Sequence, residues 1–235
     1  MGATEMRDAI FFPINQEEMF VITSDNSGGV GRKEQDIVKA DYDLVGYYSF
    51  RVSVMECMAV GAQPIAVVLQ NFCGDDSWDP LVRGIQRGLQ ELEMTHIPIT
   101  GSTESNFSLC QSAVGMLVIG RKFKNGQTII DDKSMALIGL PLVGEEVLSQ
   151  TDAVVPLSVF KKICTMGDVI VWPVGSKGVL HELERMMPGR GNIARSCGID
   201  VLKSGGPSTS FLVAYPLKQE STIKEIAGNH FHKLG

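Results

Sequence analysis

Apolar residues come in short blocks along this chain, and each block stops at a glycine or at a cluster of small polar residues. Residues 19–23 (MFVIT) form a β-branched run that ends at Ser24-Asp25-Asn26-Ser27-Gly28-Gly29, the pattern of a buried strand feeding a polar turn. Residues 43–60 are apolar on almost every face, with Asp43 as candidate N-cap and Gly61 as the stop. That predicts a helix buried all round, either central to its domain or covered by another subunit. A strand at 64–72 follows, and Asp79-Pro80 opens an amphipathic helix whose apolar positions Val82, Ile85, Leu89 and Leu92 step by three and four. Its polar positions, Arg83 among them, read as a solvated surface. Residues 97–100 read as a short strand entering the loop 101–106, and 113–119 as another, with turn chemistry at 122–127. A first domain, residues 1–127, is expected to end there.

The remaining residues, 128–235, repeat the alternation. Strands are expected at 135–140, 168–174 and 210–215, and helices at 144–149, 156–165, 179–187 and 222–227. Strands and helices alternating in this way place the chain in the α/β or α+β class.

Composition sharpens this mainly by exclusion. The chain has 235 residues, 44% of them hydrophobic and 20% charged, which supplies a real core. Twenty-seven acids against 21 bases give a net charge of −6, which argues against nucleic acid or an anionic membrane surface as the main partner. No apolar run approaches the ~18 residues that a spanning helix needs, and the N-terminal residues lack a signal-peptide pattern. The five cysteines (57, 73, 110, 164 and 197) form no CxxC pair, as in a reduced protein, so a cytoplasmic location is expected.

Candidate chemistry lies in acids and small residues at element ends. The chain carries no GxSxG, HExxH or GxxxxGK[ST] motif, and its histidines are scattered, with His230 and His232 in a tail expected to fray. Asp25, Asp41, Asp43, Glu56 and Glu104 remain, and carboxylates gathered from separate loops are how Mg²⁺ is held beside phosphates. Glu56, set among apolar residues, either meets a metal or phosphate site or pairs with Arg51 or another base. Asp25 fits a turn-former as well, and Asp43 a cap. Gly28-Gly29-Val30-Gly31 with Arg32-Lys33 reads either as a nest of N–H groups suited to phosphate or as a mobile loop, and Gly175-Ser176-Lys177-Gly178 is a second anion-site candidate.

In order and spacing these segments resemble the aminoimidazole ribonucleotide synthetase (PurM-like) superfamily. The pieces that carry the resemblance are Asp43 to Gly46, Ser53 to Pro64 with its Gly61-Ala62, the run Asp25 to Lys33, Thr100-Gly101-Ser102-Thr103, Gly167-Asp168, and Ser204 to Thr209. The resemblance implies a ferredoxin-like N-terminal domain that forms a homodimer, an abbreviated α/β C-terminal domain, and ATP bound with Mg²⁺. It makes Asp25 and Glu56 catalytic candidates. It makes Asp25, Gly29, Gly31, Lys33, Asp43, Gly101 and Thr103 the nucleotide contacts, and Asp25, Asp43, Glu56 and Glu104 the metal ligands. Glu56 and Ser102 stand where the family pattern usually has Asp and an acid. The activity implied is a small-molecule kinase, best matched by phosphorylation of the nucleoside α-ribazole to its 5′-phosphate in cobamide salvage. A thiamine-monophosphate-type kinase comes next, and a non-catalytic nucleotide-binding dimer is the rival from another class.

Overall fold

The computed structural model describes residues 4–124, 134–192 and 198–235, with side chains from residue 7. Contacts gather the chain into two units, Met1–Asn125 and Gly126–Gly235. The boundary expected after residue 127, part of the 122–127 turn and Cys197 lie outside the described residues.

In the first unit, β1 (Thr4–Met6) and β2 (Ala9–Pro13) precede β3 (Glu18–Gly28) and add an edge that the hydrophobic pattern does not announce. β3 runs straight through the expected polar turn, because Ser24 to Gly28 pair residue for residue with Leu117 to Ala113 of β8 (Ala113–Phe123). Asp25 therefore stands in a strand, opposite Met116. Two short strands, β4 (Val30–Gly31) and β5 (Val38–Lys39), pair in parallel and fix the glycine-rich loop. Then come α1 (Tyr42–Ala59), β6 (Gln63–Asn71), α2 (Trp78–Glu91) and β7 (Ile99–Thr103). The sheet order is β1-β2-β3-β8-β6-β7, with β6 and β7 parallel and the other pairs antiparallel.

This order corrects the ferredoxin-like expectation. A ferredoxin-like unit has two consecutive strands between its helices. Here β6 is followed by the 3-10 turn Asp75–Ser77 and at once by α2, whose Asp79-Pro80 start commits the chain to a helix where a hairpin would have to turn back.

The all-round burial of α1 has a source within its own chain: the sheet covers one side and α2 the other. Thr23 Oγ1 donates to the Ser53 carbonyl at 2.7 Å and Ser53 Oγ to the Met116 carbonyl at 3.2 Å, tying α1 to β3 and β8. On the far side a Cβ on Gly46 would collide with the Leu81 carbonyl, and one on Gly84 with the Asp43 carbonyl. These two glycines let α1 and α2 cross backbone to backbone. The sheet face away from α1 stays open and apolar, with Ile10, Ile22, Ile119 and Ala66 aligned across four strands.

In the second unit, β9 (Ser134–Ile138), β10 (Ile170–Pro173), β11 (Phe211–Tyr215) and β12 (Phe231–Leu234) form an antiparallel sheet in the order β10-β11-β9-β12. Its described strands pair antiparallel, the α+β arrangement. The tail expected to fray is an ordered edge strand, paired with β9 from Phe231 to Leu234. α3 (Glu145–Ser149) leads in, α5 (Gly178–Met186) covers one face through Val179, Leu183 and Met186, and α4 (Leu157–Cys164) covers the other, with Phe160 edge-on to Phe211 at 5.1 Å. α6 (Glu220–Ala227) packs against α4.

Candidate functional site

Two clefts open side by side on the first unit and share one wall, Cys73-Gly74-Asp75. The charged cleft, about 490 Å³, lies at the N-terminus of α1, where Asp41 and Asp43 meet Asp75 and Asp76 from the turn before α2, with Arg32 and Arg83 among them. The aromatic cleft, about 510 Å³, is walled by Lys33, Phe72, Glu104, Phe107, Leu109 and Cys110, among others. Each is of a size that takes a small molecule.

Two buried polar residues build these walls. Asn71, at the end of β6, accepts the Cys73 N–H (2.8 Å) and the Ser77 hydroxyl (3.0 Å) on Oδ1 and donates from Nδ2 to the Gly74 carbonyl and Thr103 Oγ1 (3.0 Å each). One amide thus shapes the shared wall and joins it to β7. Asp36 accepts the Ser112 N–H (2.7 Å) on Oδ1, and the Lys33 N–H (2.8 Å) and Ser112 hydroxyl (2.7 Å) on Oδ2. Burial alone would raise this carboxyl. The donors from Ser112 and Lys33 outweigh burial and hold it below the ordinary carboxylate range. Gly29 has φ +70° and donates its N–H to the Ser112 carbonyl at 2.8 Å. A Cβ on Gly31 would strike the Ser112 and Tyr42 side chains. The glycine loop is therefore fixed, and the Gly29 N–H is spent inside the protein.

Lys33 Nζ donates to the carbonyls of Phe72 and Leu109 at 3.0 Å each and so bridges two walls of the aromatic cleft. An ammonium has three N–H donors, so one remains for a ligand. Arg32 donates through Nε (2.9 Å) and Nη2 (2.7 Å) to Asp41 Oδ1. Helix α1 begins at Tyr42 with Asp41 as N-cap residue, so Asp43 sits in the first turn, where a carboxylate is favoured by the helix dipole.

The expected site residues separate. Lys33 and Glu104 reach the aromatic cleft and Asp43 the charged one. Thr103 is bound to Asn71. Gly101 lies in β7, where a Cβ would collide with the Leu69 carbonyl, so its smallness serves strand packing. Glu104 Oε1 accepts the N–H groups of Asn106 (2.7 Å) and Phe107 (3.2 Å), so it braces its own loop. Asp25 lines neither cleft. Burial, against a lowering hydrogen bond from the Asn26 N–H, pushes its carboxyl up to about 7. Glu56 is buried and paired with Arg7 Nη2 at 3.0 Å. It lies 13 residues beyond Asp43 on α1, about 20 Å along the axis at 1.5 Å per residue. The second anion candidate is closed by the chain itself: at the start of α5 the Gly178 N–H donates to the Gly175 carbonyl (3.2 Å) and the Leu180 N–H to the Val201 carbonyl (2.9 Å). Among the described residues no group of three or more His, Cys, Asp or Glu side chains stands ready to hold a metal ion, and no helix is long and apolar enough to cross a membrane.

Sequence reasoning missed Asn71, Asp36, Asp75, Asp76 and Arg83. An acidic pair followed by Ser, placed just before a helix, was a legible signal for Asp75 and Asp76. Nothing in the sequence marks the other three.

No family profile and no curated protein matches the chain in sequence. Solved structures match it in fold. HypE in complex with ATP is 12% identical, with a TM-score of 0.61 over 92% of this chain and 76% of that one. Thiamine-monophosphate kinase from Stenotrophomonas maltophilia is 12% identical, with a TM-score of 0.59 over 99% of this chain and 87% of that one. ThiL complexed with AMPPCP and TMP is also 12% identical, with a TM-score of 0.58 over 97% and 83%. The class these likenesses define is one of architecture: the chain has the PurM-like fold.

Proposed function

We propose that the protein is an ATP-dependent phosphotransferase that moves the γ-phosphoryl group of ATP to a hydroxyl or phosphate oxygen of a small molecule. The observation that carries this reading is the pair of adjoining clefts, each of small-molecule size, with one wall in common. The charged cleft offers Arg32 and Arg83 to a triphosphate. Its acids form no closed metal cage, and Mg²⁺ needs none: one or two carboxylates, here Asp43 with Asp75 or Asp76, suffice when phosphate oxygens and water complete the shell. When bound, the ion would neutralise charge on the phosphates. Asp75 lines both clefts, and for a hydroxyl acceptor its carboxylate would take the hydroxyl proton as the acceptor oxygen bonds to phosphorus and ADP leaves; an ionised phosphate acceptor needs no such base. Asp25 and Glu56 are given no part in the transfer.

The ATP and AMPPCP complexes of fold neighbours support the donor. α-Ribazole and thiamine monophosphate are the two acceptors to test first, and the kinase neighbours favour the second as much as the sequence resemblance favours the first. The open apolar sheet face supports a homodimer through the first unit, and Ile119→Glu on that face is expected to sediment as a monomer. Transfer of label from γ-labelled ATP with Mg²⁺ to either acceptor, reduced ~10²-fold or more in Asp75→Asn, is the expected result. ATP binding without transfer across a panel of hydroxyl and phosphate acceptors would refute the kinase. It would favour the nucleotide-binding dimer, the reading that Glu56 and Ser102 support by standing where the resemblance expects Asp and an acid.

A further inference from the structure

We propose that the aromatic cleft seats a flat heteroaromatic ring of the phosphoryl acceptor, stacked on Phe107, an assignment that rests on the phosphotransfer reading above. Phe72, Phe107 and Leu109 are all exposed large apolar side chains, Phe107 at 77% of its surface, and all three line this one cleft. A water-facing aromatic gains from a ring laid on it, because base-like rings have a face that stacks on any aromatic side chain.

The platform is held in place before any ligand arrives. Glu104 Oε1 receives the Asn106 and Phe107 N–H groups, the Glu104 N–H donates to the Asn71 carbonyl at 2.8 Å, and Lys33 Nζ joins the Phe72 and Leu109 carbonyls. Such bracing lowers the ordering cost of binding. Glu34, Gln35, Ser105 and Ser108 also line the cleft and supply polar atoms for the heteroatoms of a ring.

The donor needs no share of this space. The charged cleft is nearly as large and holds both arginines and the acids, so two ligands fit better than one ligand divided between the clefts. Donor phosphate and acceptor oxygen would then meet at the rim of the shared wall, beside Asp75.

Cys110 gives a readout that does not depend on turnover. It is an exposed free cysteine in the wall of the same cleft, while Cys73, also in that wall, is buried, and burial pushes its thiol pKa up. The test is alkylation of the full chain by N-ethylmaleimide, followed at Cys110 by peptide mass mapping, with benzimidazole, ribose or AMPPCP as probe. Benzimidazole is expected to slow Cys110 alkylation and ribose to leave it unchanged. Phe107→Ala should weaken benzimidazole binding about tenfold and Phe107→Tyr should restore it, a loss that matches one stacking contact. Protection by ribose equal to that by benzimidazole, no protection by benzimidazole, or protection indifferent to Phe107→Ala would overturn the assignment. So would AMPPCP alone protecting Cys110 and displacing benzimidazole, since the ring would then be the donor's base. Failure of the parent reading looks different: ring protection intact with no phosphoryl transfer from ATP.

Discussion

Asp36→Asn should loosen both clefts at once, because this carboxylate pins the loop that carries Arg32 and Lys33. Its two oxygens accept three hydrogen bonds, from the Ser112 N–H, the Ser112 hydroxyl and the Lys33 N–H, at 2.7 to 2.8 Å in a site where the residue is 6% exposed. An amide has one acceptor oxygen. Whichever way it is set, its NH₂ faces either the Ser112 or the Lys33 N–H, donor against donor. A hydrogen bond to a charged acceptor is worth about 1.5–3 kcal/mol, and a stranded buried donor costs about 1–3, so a loss near 3 kcal/mol from the first unit is expected. Urea unfolding with hydrogen exchange read peptide by peptide over residues 29–39 separates this unit from the second. The charge also sets a pH dependence. The folded pKa of Asp36 lies below its unfolded value of about 4, so its stabilisation is complete above that value and is lost as pH falls through the folded one. Wild type should therefore lose stability more steeply than Asp36→Asn below about pH 4. Unfolding of the first unit within about 0.5 kcal/mol of wild type, with unchanged exchange at 29–39, would refute the argument.

Gly84→Ala drives a methyl into the Asp43 carbonyl and should cost about 3 kcal/mol while weakening nucleotide binding, because Asp43 moves with the backbone it displaces; thermal melts and ATP titration check both. Asp25, with its pKa raised to about 7, binds a proton on folding, so wild-type stability should fall relative to Asp25→Asn as pH rises from about 4 to 7. Melting temperatures that run parallel across that range would contradict it. Glu56→Gln leaves Arg7 beside a neutral amide and should cost about 3 kcal/mol with ATP affinity unchanged. A loss of affinity at full stability would instead return Glu56 to the ligand site.

The fold was legible where burial is periodic. α2 follows its three-and-four spacing, and β6, β8, β9 and β11 fall on their apolar blocks. It was not legible where pairing overrides local chemistry. Asp25-Asn26-Ser27-Gly28 has turn composition, yet β8 gives each of these residues a strand partner far along the chain, from Met116 opposite Asp25 to Ala113 opposite Gly28. The site was harder still, for a related reason. Asp36 meets Ser112 across 76 positions and Asn71 meets Thr103 across 32, and locally Asp36 reads as an ordinary turn-former and Asn71 as the polar end of a strand. Phe107, among Ser and Asn, reads as loop. Glu56 shows the converse: a buried acid pointed to a site, but the residue that answers it is Arg7, on an N-terminal segment with no pattern of its own. Glu56, where the resemblance in sequence leads one to expect Asp, then has a physical sense. Because this position holds Arg7, the longer carboxylate takes nothing from the proposed transfer site, for which the proposal calls on Asp43 and Asp75.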